Sequence, residues 1–224
     1  MILFGSQSHF PHTEAQARMA AQLVPLRPQK IAEASRSLAA AFFDDPTSRF
    51  LLPREESRDR WLRLIHQASL RHVLPERHVY AVTGDEVSGV IGLVPPGRYP
   101  LSTVGFLRHL IPIILRLPTG GFSPERALRA VQTQGLIDRL HIKEPHWYVL
   151  VLGVRPERQG QGLGRALLDP ALARADRDRL PAYLETTKER NLTFYGRFGF
   201  EVMQEVSIPG GGPPVWTMLR QPVG

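Results

Sequence analysis

Two groups of residues in this chain have the types and the spacing that chemistry needs. The first is V-L-V-L-G-V-R-P-E-R-Q-G-Q-G-L-G, from Val149 to Gly164. An apolar, strand-like run breaks at Gly153, turns at Pro156, passes through Gly160, Gly162 and Gly164, and enters the apolar run Ala166, Leu167, Leu168. Three glycines in one short arc let successive backbone N–H groups point into a common concavity. A helix opening there adds its unpaired N-terminal N–H groups and the positive end of its dipole. Such a site wants an anion, and a pyrophosphate fits it. The second group is Asn191 and Tyr195, four residues apart and so on one face of a short helix. A phenol near its ordinary pKa of about 10 keeps its proton at neutral pH and can give it to a departing anion. Asn191 is a candidate helix cap and a candidate contact to the same ligand.

Three phosphate loops compete for the glycine-rich stretch. A Walker loop needs G-x-x-x-x-G-K-[ST], but Arg165 and Ala166 follow Gly164. A dinucleotide fingerprint needs G-x-G-x-x-G, and the spacing here is G-x-G-x-G. The third pattern, Q-x-x-G-x-G, is met by Gln159, Gly162 and Gly164 directly after L-G-V-R-P. In that pattern, and in the segments 143–164 and 181–200, the chain resembles the GCN5-related N-acetyltransferase (GNAT) family, most narrowly its puromycin N-acetyltransferase-like members. The likeness is strong over the C-terminal third. Upstream it rests on element order and on L-A-A-A-F at Leu38 to Phe42.

The resemblance implies acetyl-CoA as donor and the amine of a small molecule, puromycin-like or other, as acceptor. It implies a pyrophosphate held by the main chain of Gln159, Gly160, Gln161, Gly162, Leu163, Gly164 and Arg165, with Arg158 also in the cofactor site, and a pantetheine arm along Leu152, Gly153 and Val154. Asn191 and Tyr195 would complete the cofactor site, with Tyr195 as the acid for a thiolate whose ordinary pKa is about 8.5. A main-chain N–H near Val154 would hold the tetrahedral oxyanion. The amine must lose a proton before direct attack in a ternary complex, and Glu185, His146 or water could take it. A non-catalytic acyl-CoA sensor that keeps the loop is the rival reading.

The elements that must position these residues are legible along the chain. Residues 1–22 have no clear period and form an N-terminal extension; residues 23–224 form one domain. A short strand at 23–27 precedes an amphipathic helix that carries Ile31, Ala34, Leu38 and Phe42 and stops near Asp44-Asp45-Pro46. Ser48 to Pro53 reads as a loop lining the acceptor pocket or as a packed connector, and 56–73 as a second helix. A hairpin follows at 78–82 and 87–94, turning at Gly84-Asp85-Glu86. Helices at 101–117 and 124–140, joined through 118–121, form an insertion of about 101–140 where an acceptor-specific lid could be built. The run Trp147 to Val154 is apolar enough to be covered on both faces, and Gly153 suggests a bulge or close ligand approach. Splaying there would free main-chain groups of Leu152 and Val154 for an amide-bearing ligand. A helix from Gly162, kinked at Pro170, leads to a strand at 181–187, a short helix at 192–198 closed by Gly199, and a final hairpin. The class is α/β, a single GNAT-like domain with a mixed, mostly antiparallel central sheet flanked by helices and a bulged cofactor strand.

Bulk properties narrow the function further. There is no cysteine, which excludes disulfides, thiolate metal sites and a cysteine nucleophile. No metal site is suggested, because the histidines lack a close pairing with carboxylates. The formal charge of +7 is carried almost wholly by scattered arginines, with lysine only at 30, 143 and 188. That scatter suits attraction of an anionic cofactor better than a nucleic-acid surface. The most apolar stretch, Val104 to Leu117, is too short to span a membrane and contains Arg108, His109, Pro112 and Arg116. The expectation is a cytoplasmic monomer or homodimer with no nucleic-acid or membrane partner.

Overall fold

The computed structural model describes residues 22–76, 78–84, 86–101, 103–114 and 124–223. The expected N-terminal extension lies outside these residues except for Gln22, and so do Asp85 and the 118–121 connection. Seven strands form one sheet: β1 (Gln22–Pro25), β2 (Val79–Thr83), β3 (Val87–Val94), β4 (Trp147–Val154), β5 (Ala182–Thr186), β6 (Glu201–Ser207) and β7 (Pro214–Arg220). Their order is β1-β2-β3-β4-β5-β7-β6, antiparallel everywhere except between β4 and β5.

The helices are α1 (Ile31–Phe42), α2 (Pro46–Leu51), α3 (Glu55–Val73), α4 (Thr103–Ile114), α5 (Pro124–Leu140), α6 (Leu163–Asp178) and α7 (Glu189–Gly196). In α1, Ile31, Ala34 and Leu38 recur at helical spacing, and all three are buried with Leu70 and Val73 of α3 against Val79, Ala81 and Val90. On the opposite face Leu167, Leu168 and Leu172 of α6 pack with Val149, Leu184 and Met218, and Tyr195 of α7 belongs to the same cluster. Helices on both faces explain why β3 is buried along its whole length. The inserted helix α5 is fixed by Leu136, which is buried with Ile208 and Val215. At the other end of the molecule Arg220 grips Asp176 through two parallel hydrogen bonds of 2.7 and 2.9 Å, closing the last strand onto α6.

Three local expectations are corrected. Residues 46–51 are helical rather than a loop, because Asp45 caps them, its Oδ1 accepting from the N–H groups of Thr47 (3.0 Å) and Ser48 (3.4 Å), with Pro46 in the first turn. The bulge of β4 falls at Leu150, since Val149 faces Leu93 and Val151 faces Gly92, leaving Leu150 without an opposite residue. Gly153 is instead a contact with α1: a Cβ there would stand 2.7 Å from Leu38 Cδ2, 3.1 Å from Phe42 and 3.2 Å from Ala41. Gly153→Ala is therefore expected to destabilise the fold by about 1–3 kcal/mol in urea unfolding, as overpacking does. A loss below about 0.5 kcal/mol would show that α1 moves aside freely. The third correction concerns α7, which begins at Glu189, so that Asn191 lies in its first turn and is not its cap.

Candidate active site

The site starts where two parallel strands part. β5 pairs with β4 only at Trp147–Ala182 and Tyr148–Tyr183; beyond these, no pair joins them. β4 stays attached to β3 as far as Val154–Gly89. The N–H of Arg155 donates to Ser88 O on the β3 side (2.9 Å). Because backbone groups alternate along a strand, the N–H groups of Val154 and Leu152 point the other way, into the wedge left by β5. The wedge therefore offers strand-edge donors and acceptors at the level where an extended amide chain could lie.

At the open end of β4 the chain makes a short 3-10 turn at Pro156–Arg158, and Gln159 folds back so that its Nε2 donates to Val154 O (2.9 Å). Gly160 and Gly162 then take φ of +77° and +78°, a region open to glycine and strained for side-chain-bearing residues. A Cβ on either would meet nothing within 4 Å, so backbone conformation selects glycine at both. Gly164 has a different role: its missing Cβ lets Phe194 of α7 approach to 3.2 Å. Among the described residues, no backbone carbonyl accepts from the N–H groups of residues 160–165, whereas Ala166 N–H already bonds Gly162 O. These free donors sit at the N-terminus of α6, where the helix dipole adds positive potential.

Wedge and loop open into one cavity of about 500 Å³. Its walls carry Leu152, Gly153, Val154, Arg158, Gln159, Gly160, Gly162, Leu163, Gly164 and Arg165 from the loop side, and Asn191 and Tyr195 from α7. Of the residues expected from sequence to hold the cofactor, Gln161 does not line it; its Oε1 accepts from Arg158 Nε (3.0 Å) and its Nε2 donates to Glu157 O (3.3 Å), bracing the turn. Asn191 lines the cavity while its Nδ2 donates to Thr186 Oγ1 (2.8 Å). Tyr195 is 7% exposed, its ring edge-on to Phe194 and Phe200. Burial pushes its phenol well up, so the hydroxyl stays protonated across the physiological range.

The sequence pattern of the acetyltransferase (GNAT) family matches residues 36–200, most of the chain. The chain belongs to that family. A curated relative, an uncharacterized N-acetyltransferase of Schizosaccharomyces pombe, is 26% identical over 218 residues, covering 91% of this chain and 84% of its own. Among solved structures, the fold is similar to histone acetyltransferase HPA2 and related acetyltransferase from Corynebacterium glutamicum, with a TM-score of 0.64 and 21% identity over 92% of this chain and 98% of the other. It is also similar to arylalkylamine N-acetyltransferase 2 from Aedes aegypti, with a TM-score of 0.56 and 14% identity over 90% and 98% of the two chains. The chain is thus a GNAT-type N-acetyltransferase.

The two candidate bases stand apart from this cavity, and neither lines it. Glu185 lies two residues beyond the last paired position of β5, at the closed end of the wedge. It alternates with Leu184, which is buried with Tyr195, so it faces the opposite side of the sheet from that phenol. His146 precedes β4 altogether, roughly 20 Å from Leu152 at about 3.3 Å per residue. His141, which sequence reasoning overlooked, connects them: its Nδ1 is 3.3 Å from Glu185 Oε1 and its Nε2 is 2.9 Å from His146 Nε2.

Sequence reasoning also passed over Ala41, Phe42, Asp45, Lys188, Arg190, Phe194, Arg197 and Phe198, which complete the walls. The arginines at 158, 165, 190 and 197 give the cavity a cationic rim that suits phosphates. The basic residues Lys188 and Arg190, at the start of the helix of Tyr195, were the available signal. Burial pushes the Lys188 ammonium down, opposed by Asp45, whose carboxylate lies 4.0 Å away. Asp45 also accepts from Thr187 Oγ1 (3.1 Å), so one carboxylate ties α2 to the β5–α7 turn. Asp45→Ala is expected to lower stability by about 1 kcal/mol through the lost cap. It should also raise the Kd for acetyl-CoA several-fold in calorimetry; an unchanged Kd would show that the tie does not shape the cavity.

Proposed function

We propose that this protein transfers the acetyl group of acetyl-CoA to the amine of a small molecule by direct attack in a ternary complex. The observation that carries the proposal is the parting of β4 from β5 directly beside a loop of free N–H donors, with one cavity running through both. The donor set fits the cofactor part by part. The N–H groups of residues 160–165 and the arginine rim would hold the pyrophosphate, and the free edge of Leu152 and Val154 would pair with the pantetheine amides. When bound, acetyl-CoA supplies an activated acyl carbon and a thiolate leaving group.

The residues of the chain divide the remaining work. A main-chain N–H near Val154 would steady the oxyanion as it forms. Tyr195, buried and protonated, would donate a hydrogen bond to the departing sulfur. Because burial raises the phenol further above a thiol, full proton transfer is uphill, and its contribution is donation to developing charge. Glu185 does not line the cavity, so it or His146 would take the proton of the incoming ammonium through water, or water itself would.

The test is to incubate the protein with acetyl-CoA and one amine at a time, covering puromycin-like nucleosides, arylalkylamines, polyamines, aminoglycosides and amino acids, with mass spectrometry of the amine. One N-acetylated product is expected. Initial rates with both substrates varied should then give intersecting lines; parallel lines would indicate an acyl-enzyme and overturn direct attack.

A further inference from the structure

The chain has three lysines, at 30, 143 and 188. Lys143 is exposed, and Lys30 is exposed and paired with Glu33. Lys188 differs from both: it stands among the walls of the cofactor cavity, with a side chain only 14% exposed. Its backbone is fixed where β5 gives way to α7. The N–H donates to Thr186 Oγ1 (3.5 Å), and the carbonyl accepts from the N–H of Asn191 (2.9 Å). The side chain then reaches across to α1, where Nζ donates to Ala41 O (3.4 Å) and lies 4.0 Å from Asp45 Oδ2.

Those contacts set the amine at the level of Gly153. A Cβ on that glycine would stand 3.2 Å from Ala41 Cβ, and Ala41 is the residue whose carbonyl holds Nζ. Gly153 lies between Leu152 and Val154, the two residues with a free edge toward β5. Tyr195 lines the same cavity but packs with α6 on the opposite face of the sheet. The cavity that suits a thioester therefore already contains an amine of the chain itself. That amine is fit to attack. Burial pushes the ammonium down, Asp45 opposes the fall, Arg190 adds to it and Asp44 opposes it. Arg158, Arg165 and Arg197 also line the cavity, and Asp45 is the one carboxylate among the described residues of its walls. A neutral amine keeps two hydrogens, enough for Ala41 O, and gains a lone pair.

We infer that Lys188 Nζ is a self-acetylation site, modified once per chain by the acetyl-CoA bound in its own cavity. This rests on the acetyl-CoA reading of that cavity. The ammonium first gives one proton to water. Its nitrogen then bonds the thioester carbonyl carbon, the carbon–sulfur bond breaks, and the second proton lost from nitrogen ends on the sulfur of coenzyme A. Each chain yields one amide and one free thiol, and no other reactant is required.

The product is an amide, which does not hand its acetyl group on, so the modified lysine is an end point and not an intermediate. Its nitrogen carries no charge, and Asp45 loses the cation that faces it. The added acetyl group takes up space beside Ala41 and Gly153, in the cavity where an external amine would have to meet the thioester. Self-transfer therefore competes with acceptor turnover and lowers it once complete. Lys30 and Lys143 line no part of the cavity and have no such route, which makes them references within the same molecule. Reagents from solution favour those two exposed amines, whereas a donor held in the cavity favours Lys188.

Peptide mapping by mass spectrometry, after the full chain is incubated with acetyl-CoA and no amine, reads the modification directly. Lys188 should be acetylated about 100-fold faster than Lys143, at a rate independent of protein concentration, as transfer within one complex requires. Lys188→Arg, which keeps a cation toward Asp45, should remove that signal and leave Lys30 and Lys143 as in the parent. Equal modification of Lys188 and Lys143, or a rate that rises with protein concentration, would overturn the inference. A second readout needs no cofactor: trace labelling of the free protein with acetic anhydride, stepped through pH. Lys188 should react at a pH below the range of an ordinary lysine, whose pKa is about 10.4. A Lys188 that stays unlabelled while Lys143 reacts would show the amine closed to an acyl carbon, which also overturns it. Calorimetry with acetyl-CoA and the amine panel separate this inference from the proposed function. If acetyl-CoA binds and an amine is acetylated while Lys188 is not, self-transfer fails and the function reading stands. If Lys188 is acetylated and no amine is, the external acceptor fails and self-transfer stands. No binding of acetyl-CoA would overturn both.

Discussion

Gly162→Val is expected to abolish measurable acetyl-CoA binding while lowering the melting temperature by only several degrees. Gly162 stands at the N-cap of α6 with φ of +78° and ψ of 1°. A left-handed conformation costs a side-chain-bearing residue about 1–2 kcal/mol, and more if it is β-branched. The new side chain would meet no atom within 4 Å of its Cβ, so clash does not add to that cost. The cheapest relief is rotation of the loop backbone out of the left-handed region, which the fold tolerates because the N–H groups of residues 160–165 serve no carbonyl among the described residues. Those same N–H groups would then no longer converge. Calorimetry should show at least about a 100-fold rise in Kd, equivalent to two or more lost charge-assisted hydrogen bonds. An affinity within about threefold of the parent would remove the loop from the binding account.

Tyr195→Phe should separate binding from turnover in the opposite way. The ring is packed between Phe194 and Phe200, and a phenylalanine keeps those contacts, so folding and acetyl-CoA affinity should be nearly unaffected. What is lost is the hydroxyl proposed to donate to sulfur as negative charge develops there. Removing such a donor lowers kcat by about 10²–10³-fold, with KM for both substrates little changed. A kcat within about twofold of the parent would take Tyr195 out of the reaction. The pH dependence gives a second check: because burial raises the phenol, its proton should limit the rate only on the alkaline side. An acidic limb, set by the need to deprotonate the acceptor ammonium, should survive Tyr195→Phe.

What the sequence made legible follows from how local each signal is. β4, the glycine loop and the opening of α6 are one continuous segment in which strand pattern, proline and glycine spacing agree, and β4 has the expected ends. The kind of sheet followed from the alternation of strands and helices and from the resemblance. The misplaced features all depend on a distant partner. Gly153 looks like a bulge until α1 is packed against it, and Leu150, which does bulge, has no feature of its own to mark it. Asp45 was read as the stop of one helix because its second role, as cap to a six-residue helix after Pro46, is overshadowed by the large apolar side chains that follow. Asn191 was named from its type, while the helix starts two residues earlier. His141 could not be found from spacing, since 44 residues separate it from Glu185. The docking of α5 through Leu136, with the Tyr183 hydroxyl on Leu140 O, brings it to the sheet.

The most direct test of acetyl transfer is release of free thiol from acetyl-CoA, followed continuously with a colorimetric thiol reagent, in the absence of amine and with each amine of the panel. The protein contains no cysteine and contributes no background. The account predicts release that is slow without amine and strongly accelerated by one chemical class of amine. Acetyl-CoA bound in the cavity but never discharged by any amine would make the chain an acyl-CoA sensor rather than a transferase. Absence of both binding and release would contradict the reading of the wedge and the glycine loop at its root.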